Sequence, residues 1–490
     1  MVGTEGSDTL VGTLRRDVIC GLGGNDDIRG GFGDDVLLGG DGNDVLRGED
    51  GDDTLDGGVG ADTMSGGPDI DTVTYRGRTE GFEIVVGGNG FFQVGEPDLW
   101  RGSRVRGELD IVRDDIENAT GGSGNDFIIE EGSLDQDNIL RGGPGNDYLD
   151  GEDGNDVLDG GVGSDVLLGG GGNDTVTYEG RSENLTITLD GESNDGAPGE
   201  LDEVPSSNER IVGGDGNDHI VGWTCLLGPQ CAYDQPREVA QAGNRFDGGE
   251  GDDVLEGRYG SDELFGGPGN DTLKAGSTLG EASRDELWGD SGNDTLVGGA
   301  WNDTLHGGSN VDVLEGGGGG DVLEGGSEDD HLKGGSGGDR LDGGSGNDTL
   351  EGGAGFDDLF GGFGRDWLYG GDGGDELFGG LGRDHLFGNA GNDELHGEQD
   401  GEFEIEGGVG DDKLDGGPGN DVMRGGLGKD NLTGGAGQDT LEGGAGADTF
   451  HAVDGVRDVL RGGLGCDGGE WDQGLDDVRL GVQFCGSVGG

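Results

Sequence analysis

Aspartate recurs at every ninth residue through most of this chain. Asp8, Asp17, Asp26, Asp35, Asp44, Asp53, Asp62 and Asp71 open the series, which resumes at Asp147, Asp156, Asp165 and Asp174. It then runs through twelve consecutive positions from Asp294 to Asp393 and returns from Asp412 to Asp448. Around each beat the residues read G-G-x-G-x-D-x-U-x, with U a large apolar residue, as in GGSGNDTLE from Gly343 to Glu351. A fixed period of this kind demands a small unit stacked on copies of itself, and it takes precedence over every other reading of the chain.

Composition alone points the other way. A chain of 490 residues with 126 glycines, 29% hydrophobic content and a net charge of -78 has the signature of disorder, because so little apolar surface cannot offset chain entropy. Disorder, however, does not place leucine at a fixed distance from aspartate. The charge repels nucleic acid phosphates and anionic membrane surfaces and favours cations as partners. No apolar run approaches the length of a membrane span.

Glycines at positions 1, 2 and 4 permit positive φ and close backbone approach, so the first six residues read as a tight turn. Such a turn points carbonyls inward, and its sixth residue adds a carboxylate. Oxygen-only donors suit calcium, whereas magnesium prefers stricter octahedra and zinc wants the His or Cys that these turns lack. The remaining x-U-x reads as a three-residue strand with its middle side chain turned inward. Leu264, Leu273, Leu296, Leu305, Leu314 and Leu323 then line an interior.

If two nonapeptides form one coil, residues 18 apart stack at roughly 4.8 Å. Asp339, Asp357 and Asp375 fall on one edge, and Asp348, Asp366 and Asp384 on the other. The candidate calcium ligands are Asp8, Asp26, Asp35, Asp44, Asp53, Asp62, Asp126, Asp147, Asp156, Asp165, Asp174, Asp218, Asp253, Asp262 and Asp271. They continue through Asp294, Asp321, Asp339, Asp348, Asp357, Asp366, Asp375, Asp384, Asp393, Asp412, Asp421, Asp430, Asp439 and Asp448. Where position 4 is Arg15, Asp69, Trp301, Asn310 or Glu328 instead of Gly, and where a residue is inserted near Gln399 to Glu406, weak or empty sites are expected. Without metal, stacked carboxylates repel and the thin core cannot compensate, so folding is expected to be coupled to calcium.

These repeats resemble the RTX family, the hemolysin-type calcium-binding nonapeptide repeats of secreted bacterial toxins, proteases, lipases and adhesins. The resemblance implies a parallel β-roll, many calcium ions held by turn carbonyls and the position-6 Asp, and secretion in a calcium-poor, unfolded state.

Along the chain the sequence divides into a first repeat block (1–75), a β-rich insert (76–120) and a second repeat block (121–178). A related insert (179–212), a short repeat with a Cys-containing loop (213–247), the main repeat block (248–450) and a C-terminal cap or secretion segment (451–490) follow. The two inserts begin alike, DTVTYRGRTEGFEIVV from Asp71 and DTVTYEGRSENLTITLD from Asp174. Their alternating segments read as strands that pack on or cap a short roll, with Tyr75 and Tyr178 covering its edges.

None of the non-repeat stretches is long enough for an independent catalytic domain. His219, His306, His331, His385, His396 and His451 show no HExxH spacing, and no G-x-S-x-G elbow has a plausible His partner. Cys225 with Cys231, and Cys466 with Cys485, are candidate disulfides of an oxidising compartment. Cys20, next to the inward Ile19, is left over facing outward. The start lacks a secretory signal pattern, so either export uses a C-terminal signal, as the resemblance implies, or a natural start precedes Met1. Finally, Phe360, Tyr369, Phe378 and Phe387 share the outward ninth position, making the stretch from Phe356 to Phe387 either a self-stacking ladder or a surface for a cell-surface or glycan ligand.

The expectation is an all-β chain, a right-handed parallel β-roll in several blocks with short antiparallel inserts. It would be a secreted calcium-binding protein of structural or adhesive role and not an enzyme. The alternative is the calcium-binding part of a larger RTX toxin or hydrolase.

Overall fold

The computed structural model describes residues 1–79, 81, 83–86, 92–94, 110–113, 115–130, 136–222, 243–276, 283–399, 404–471 and 478–480. Among them there is no helix, and hence none long and apolar enough to cross a membrane. The chain divides into two compact units, Met1–Cys231 and Ala232–Gly490.

In the second unit successive nonapeptides alternate between two parallel sheets. Arg340–Gly346, Asp358–Gly364 and Glu376–Gly382 neighbour one another in one sheet, and Thr349–Gly355, Trp367–Gly373 and His385–Gly391 in the other. The register is the expected 18: Leu341 lies beside Leu359 and Leu359 beside Leu377, while Leu350 lies beside Leu368 and Leu368 beside Leu386. Each of these leucines is fully buried, as are Leu264, Leu273, Leu296, Leu305, Leu314 and Leu323. The core is thus one row of aliphatic side chains per sheet, a thin interior that the interdigitated rows must share.

Two details differ from the sequence expectation. Many strands are longer than three residues: Thr349–Gly355 has seven, and it pairs through Gly353, Ala354 and Gly355 of the next nonapeptide. Only Phe356 and Asp357 separate it from Asp358–Gly364. The extension arises because glycines without side chains can lie flat in both sheets. The three glycines also have different reasons to be there. Positions 2 and 4 need the left-handed region, with φ of +94° at Gly344 and +156° at Gly346. Position 1 does not, but a Cβ on Gly343 would lie 2.6 Å from Asp348 Oδ2 and 2.8 Å from the Gly361 carbonyl oxygen. Its glycine is required for space.

The first unit is the same coil with two interruptions. Its inserts do not simply pack on the outside. Glu83–Val86 joins the ladder in parallel beside Phe127–Glu130, Asp110–Val112 lies parallel to Thr63–Ser65, and Thr186–Thr188 runs parallel to His219–Val221. Among the described residues Phe92–Val94 with Asp110–Val112, and Ser193–Asp195 with Asp202–Glu203, are antiparallel, and a further antiparallel bridge joins Thr186 to Gly196. Tyr75 and Tyr178 are buried. Cys20 carries a free, half-buried thiol and Cys466 is disulfide-bonded. Cys225, Cys231 and Cys485 lie outside the described residues, as do parts of the first insert, of the Gln399 to Glu406 stretch and of the tail.

Candidate calcium columns

Each position-6 aspartate sits at a strand's entry, where the sharp corner leaves its backbone N–H without a ladder partner. The carboxylate of the aspartate one coil further on supplies the acceptor. Asp330 N–H donates to Asp348 Oδ1 at 2.8 Å, Asp348 to Asp366 at 2.9 Å, and Asp366 to Asp384 at 3.0 Å. On the opposite edge Asp339 donates to Asp357 at 2.8 Å and Asp357 to Asp375 at 3.0 Å. The two interleaved columns expected from the 18-residue register are present.

One carboxylate oxygen is used in this way; the other points into the turn. Oδ2 of Asp348, Asp357, Asp366, Asp375 and Asp384 is buried and has no hydrogen-bond partner. The same holds for Asp26, Asp35, Asp44, Asp53, Asp147, Asp156, Asp165, Asp174, Asp262, Asp271, Asp294, Asp321, Asp339, Asp393, Asp412, Asp430, Asp439 and Asp448. Asp62, Asp253 and Asp421 are equally buried in the same columns. Burial of an anionic oxygen without a donor is unfavourable unless a cation meets it. Desolvation, the largest influence, pushes the carboxyl of Asp348 up to about 6, that of Asp366 to about 7 and that of Asp147 to about 8.

The space beside that oxygen is lined by backbone. A Cβ on Gly352 would lie 2.7 Å from Asp357 Oδ2 and 2.7 Å from the Gly370 carbonyl oxygen. Carboxylate and carbonyl oxygens therefore share one small pocket per turn. Among the described residues no three His, Cys, Asp or Glu side chains converge to hold a metal, because each turn contributes one carboxylate and carbonyls must supply the rest. An all-oxygen, mixed-charge donor set of this kind fits calcium and gives zinc nothing to bind. The position-6 aspartates and the turn carbonyls would hold the ion, which would neutralise the buried charge.

Three candidate aspartates are placed differently. Asp8 Oδ2 accepts from the Thr4 N–H at 2.6 Å and the Thr4 hydroxyl at 2.8 Å. Asp126 Oδ2 accepts from Gly122 N–H, and Asp218 Oδ2 from Gly214 N–H, both at 2.8 Å. Protein donors meet oxygens that elsewhere face the turn.

Conversely, the columns contain members that the motif did not mark. Asp71, Asp303, Asp312 and Asp330 are buried with an unpartnered Oδ2, although position 4 of their turns is Asp69, Trp301, Asn310 and Glu328. These residues adopt the left-handed turn themselves, at φ of +86°, +90°, +80° and +74°. Asp17, whose turn holds Arg15, is half-buried and receives the Thr13 N–H on Oδ2 at 2.7 Å.

Asp110, Asp202 and Asp285 continue the columns across insertions, accepting from Asp62, Asp165 and Asp262 at 2.8, 2.9 and 2.7 Å. Glu117 and Glu209 do the same for Asp71 and Asp174. Asp458 and Asp467 extend them beyond Asp439 and Asp448. The surviving signal is acid-x-apolar, as in Asp110-Ile-Val112 and Asp202-Glu-Val204, stripped of its glycines.

Paired sheets closed by glycine turns, each holding one buried carboxylate beside carbonyl oxygens, define a repeat scaffold built around hard cations. The RTX calcium-binding nonapeptide repeat (4 copies) matches residues 2–37, 38–73, 134–167, 141–176, 206–224, 241–277, 288–323, 315–350, 324–359, 342–377, 351–386, 369–401, 404–432 and 424–456. These segments cover more than half of the chain, which belongs to the RTX calcium-binding repeat family. No curated protein matches the chain.

Proposed function

We propose that this is a secreted scaffold that folds on binding many calcium ions outside the cell and then serves a structural or adhesive role without catalysis. The observation behind this reading is the repeated buried Oδ2 that lacks a donor, together with a net charge of -78. In the metal-free chain those carboxylates oppose folding, and in calcium they hold the turns together. Affinity in the range of extracellular calcium modules, on the order of 0.1 to 1 mM, would keep the chain unfolded at cytosolic calcium.

The aromatic ladder is the candidate adhesive surface. Phe360 stacks on Phe378 with centroids 5.0 Å apart, Tyr369 stacks on Phe387 at 5.1 Å, and Phe356 and Phe363 stand exposed nearby.

Circular dichroism during calcium titration from excess chelator tests the folding claim, with magnesium as the control. A cooperative gain of β signal in calcium alone is expected. A chain already β-structured in chelator at neutral pH would refute it.

A further inference from the structure

Not every turn is left to an ion. We propose that the Asp-Thr-Val-Thr-Tyr-x-Gly-Arg segments at Asp71–Arg78 and Asp174–Arg181 are calcium-replacing plugs: the arginine supplies the cation and the tyrosine the donor that one turn of each column would otherwise take from calcium. This rests on the reading that the ordinary turns hold calcium.

The second segment carries the argument. Arg181 lies between two stacked turns, Gly160 to Asp165 and Gly196 to Asp202. Its guanidinium donates to the Gly161 carbonyl, at position 2 of the lower turn, and makes two bonds of 2.9 and 2.8 Å to the Glu200 carboxylate of the upper turn. Both side chains are largely buried, 14% and 13% exposed. Glu200 is itself fixed by the N–H groups of Ala197 at 3.0 Å and Gly163 at 3.3 Å, so it bridges the two turns.

The column carboxylate above Asp165 is also satisfied by protein. Asp202 Oδ1 accepts the Asp165 N–H as in the regular coils, while Oδ2, which at Asp348 and Asp366 faces the turn without a donor, accepts the buried Tyr178 hydroxyl at 3.1 Å. A delocalised, weakly hydrated guanidinium with planar donors is well suited to bridge a carboxylate and a carbonyl in a dry gap. With carbonyl and carboxylates both met by fixed donors, a calcium ion there would have to displace a buried cation.

The first segment repeats the placement of the arginine and the tyrosine. Arg78 donates to Gly58, again the position-2 carbonyl of a turn, and Tyr75 is buried beside Asp110, the column carboxylate that accepts from Asp62. Tyr75, Arg78, Gly58 and Asp62 correspond to Tyr178, Arg181, Gly161 and Asp165 by the same sequence offset. In both copies the column changes step at this turn, spanning 48 residues in one and 37 in the other. A plug with its own cation holds together the turn where the glycine motif is missing.

Anomalous diffraction from crystals of the full chain, grown in calcium and soaked with terbium, separates this inference from the function it rests on. Peaks beside Asp348 and Asp366, with none between Gly161 and Glu200, are expected. Peaks at neither place would refute the calcium reading, and a peak at both would overturn the plug.

The variant Arg181→Ala supplies a second measurement. Hydrogen exchange in saturating calcium should show Val157–Val162 losing at least about ten-fold protection while Thr349–Gly355 is unchanged, since breaking a buried pair strands its partner. Unchanged protection at both segments would overturn the plug.

Discussion

The run from Asp294 to Asp393 and the stretch from Asp53 to Glu209 build the same columns by different means. In the first, aspartates from Asp294 to Asp375 meet their neighbours 18 residues on, glycine fills positions 1 and 2 almost throughout, and every coil is nearly a copy of the last. In the second, the step at the inserts becomes 48, 46, 37 or 35 residues, the acceptor turns there lack the glycine motif, and glutamate twice replaces aspartate. Yet the same backbone N–H meets an acidic oxygen in both, and the same apolar row stays buried, through Val112, Ala119, Val204 and Ile211. What is held constant is an acid that caps a strand's entry two residues before an inward side chain. The nine-residue count and the glycines are one economical way of delivering it.

That comparison can be tested at graded strength. The largest effect should come from the apolar row. Leu350→Ala, in the regular run, should cost about 2–5 kcal/mol in calcium-saturated denaturant unfolding, because a one-row core cannot collapse around the cavity. The insert return already tolerates alanine at the equivalent Ala119, so a loss below about 1 kcal/mol at Leu350 would show that the two regions share a plastic core.

Next comes the acid. Asp348→Ala removes both the ion's oxygen and the acceptor of the Asp330 N–H, whereas Asp348→Asn can keep the acceptor. The alanine variant should be the less stable by about 1–3 kcal/mol in chelator-free unfolding, and both should bind less calcium by calorimetry. Equal stability would mean that the column hydrogen bond is dispensable and that the metal alone sets the register.

Acid should act on the metal-free chain in the opposite sense to the usual one. The folded-state carboxyls of Asp348, Asp366 and Asp330 are pushed by burial to about 6, 7 and 8, above the ordinary 3.8. A carboxyl raised on folding binds its proton more tightly in the coil, so its contribution is complete below 3.8 and is lost as pH rises through 6 to 8. In excess chelator, β signal should therefore rise as pH falls from 8 towards 4, while with calcium present the titration midpoint should move to higher calcium over the same interval. A metal-free chain that loses β signal on acidification would contradict this.

The smallest effect concerns the turn. Glu328 holds φ +74° where neighbouring repeats have glycine. Glu328→Gly should stabilise the calcium form by about 1 kcal/mol in thermal unfolding, by removing the left-handed penalty of a side-chain-bearing residue. Destabilisation would mean that Glu328 serves another purpose, such as its contacts to Ser327 and the Asn310 N–H.

Much of this architecture is legible in the residues themselves. The 18-residue stacking, the two aspartate edges, the inward leucines and the stacking of Phe360 on Phe378 all follow from one period. The length of the strands does not, because glycine's propensities argue against a sheet, and only the neighbouring coil makes Gly353 and Gly355 part of one. Nor do Asp110, Asp202 and Asp285, whose acid-x-apolar signal is too short to recognise in a chain this acidic. The bridge from Arg181 to Glu200 was hidden for another reason: it depends on which turns an insert brings together.

The column hydrogen bonds all run one way. Each aspartate gives its N–H to the carboxylate of the following coil, so a stack has a head and a tail that are chemically unlike. In the first coils Asp8 and Asp17 also accept the Thr4 and Thr13 N–H groups on Oδ2. A coil built this way is a polar filament in miniature: it can be lengthened by inserting copies anywhere along it, but its two ends need different stoppers.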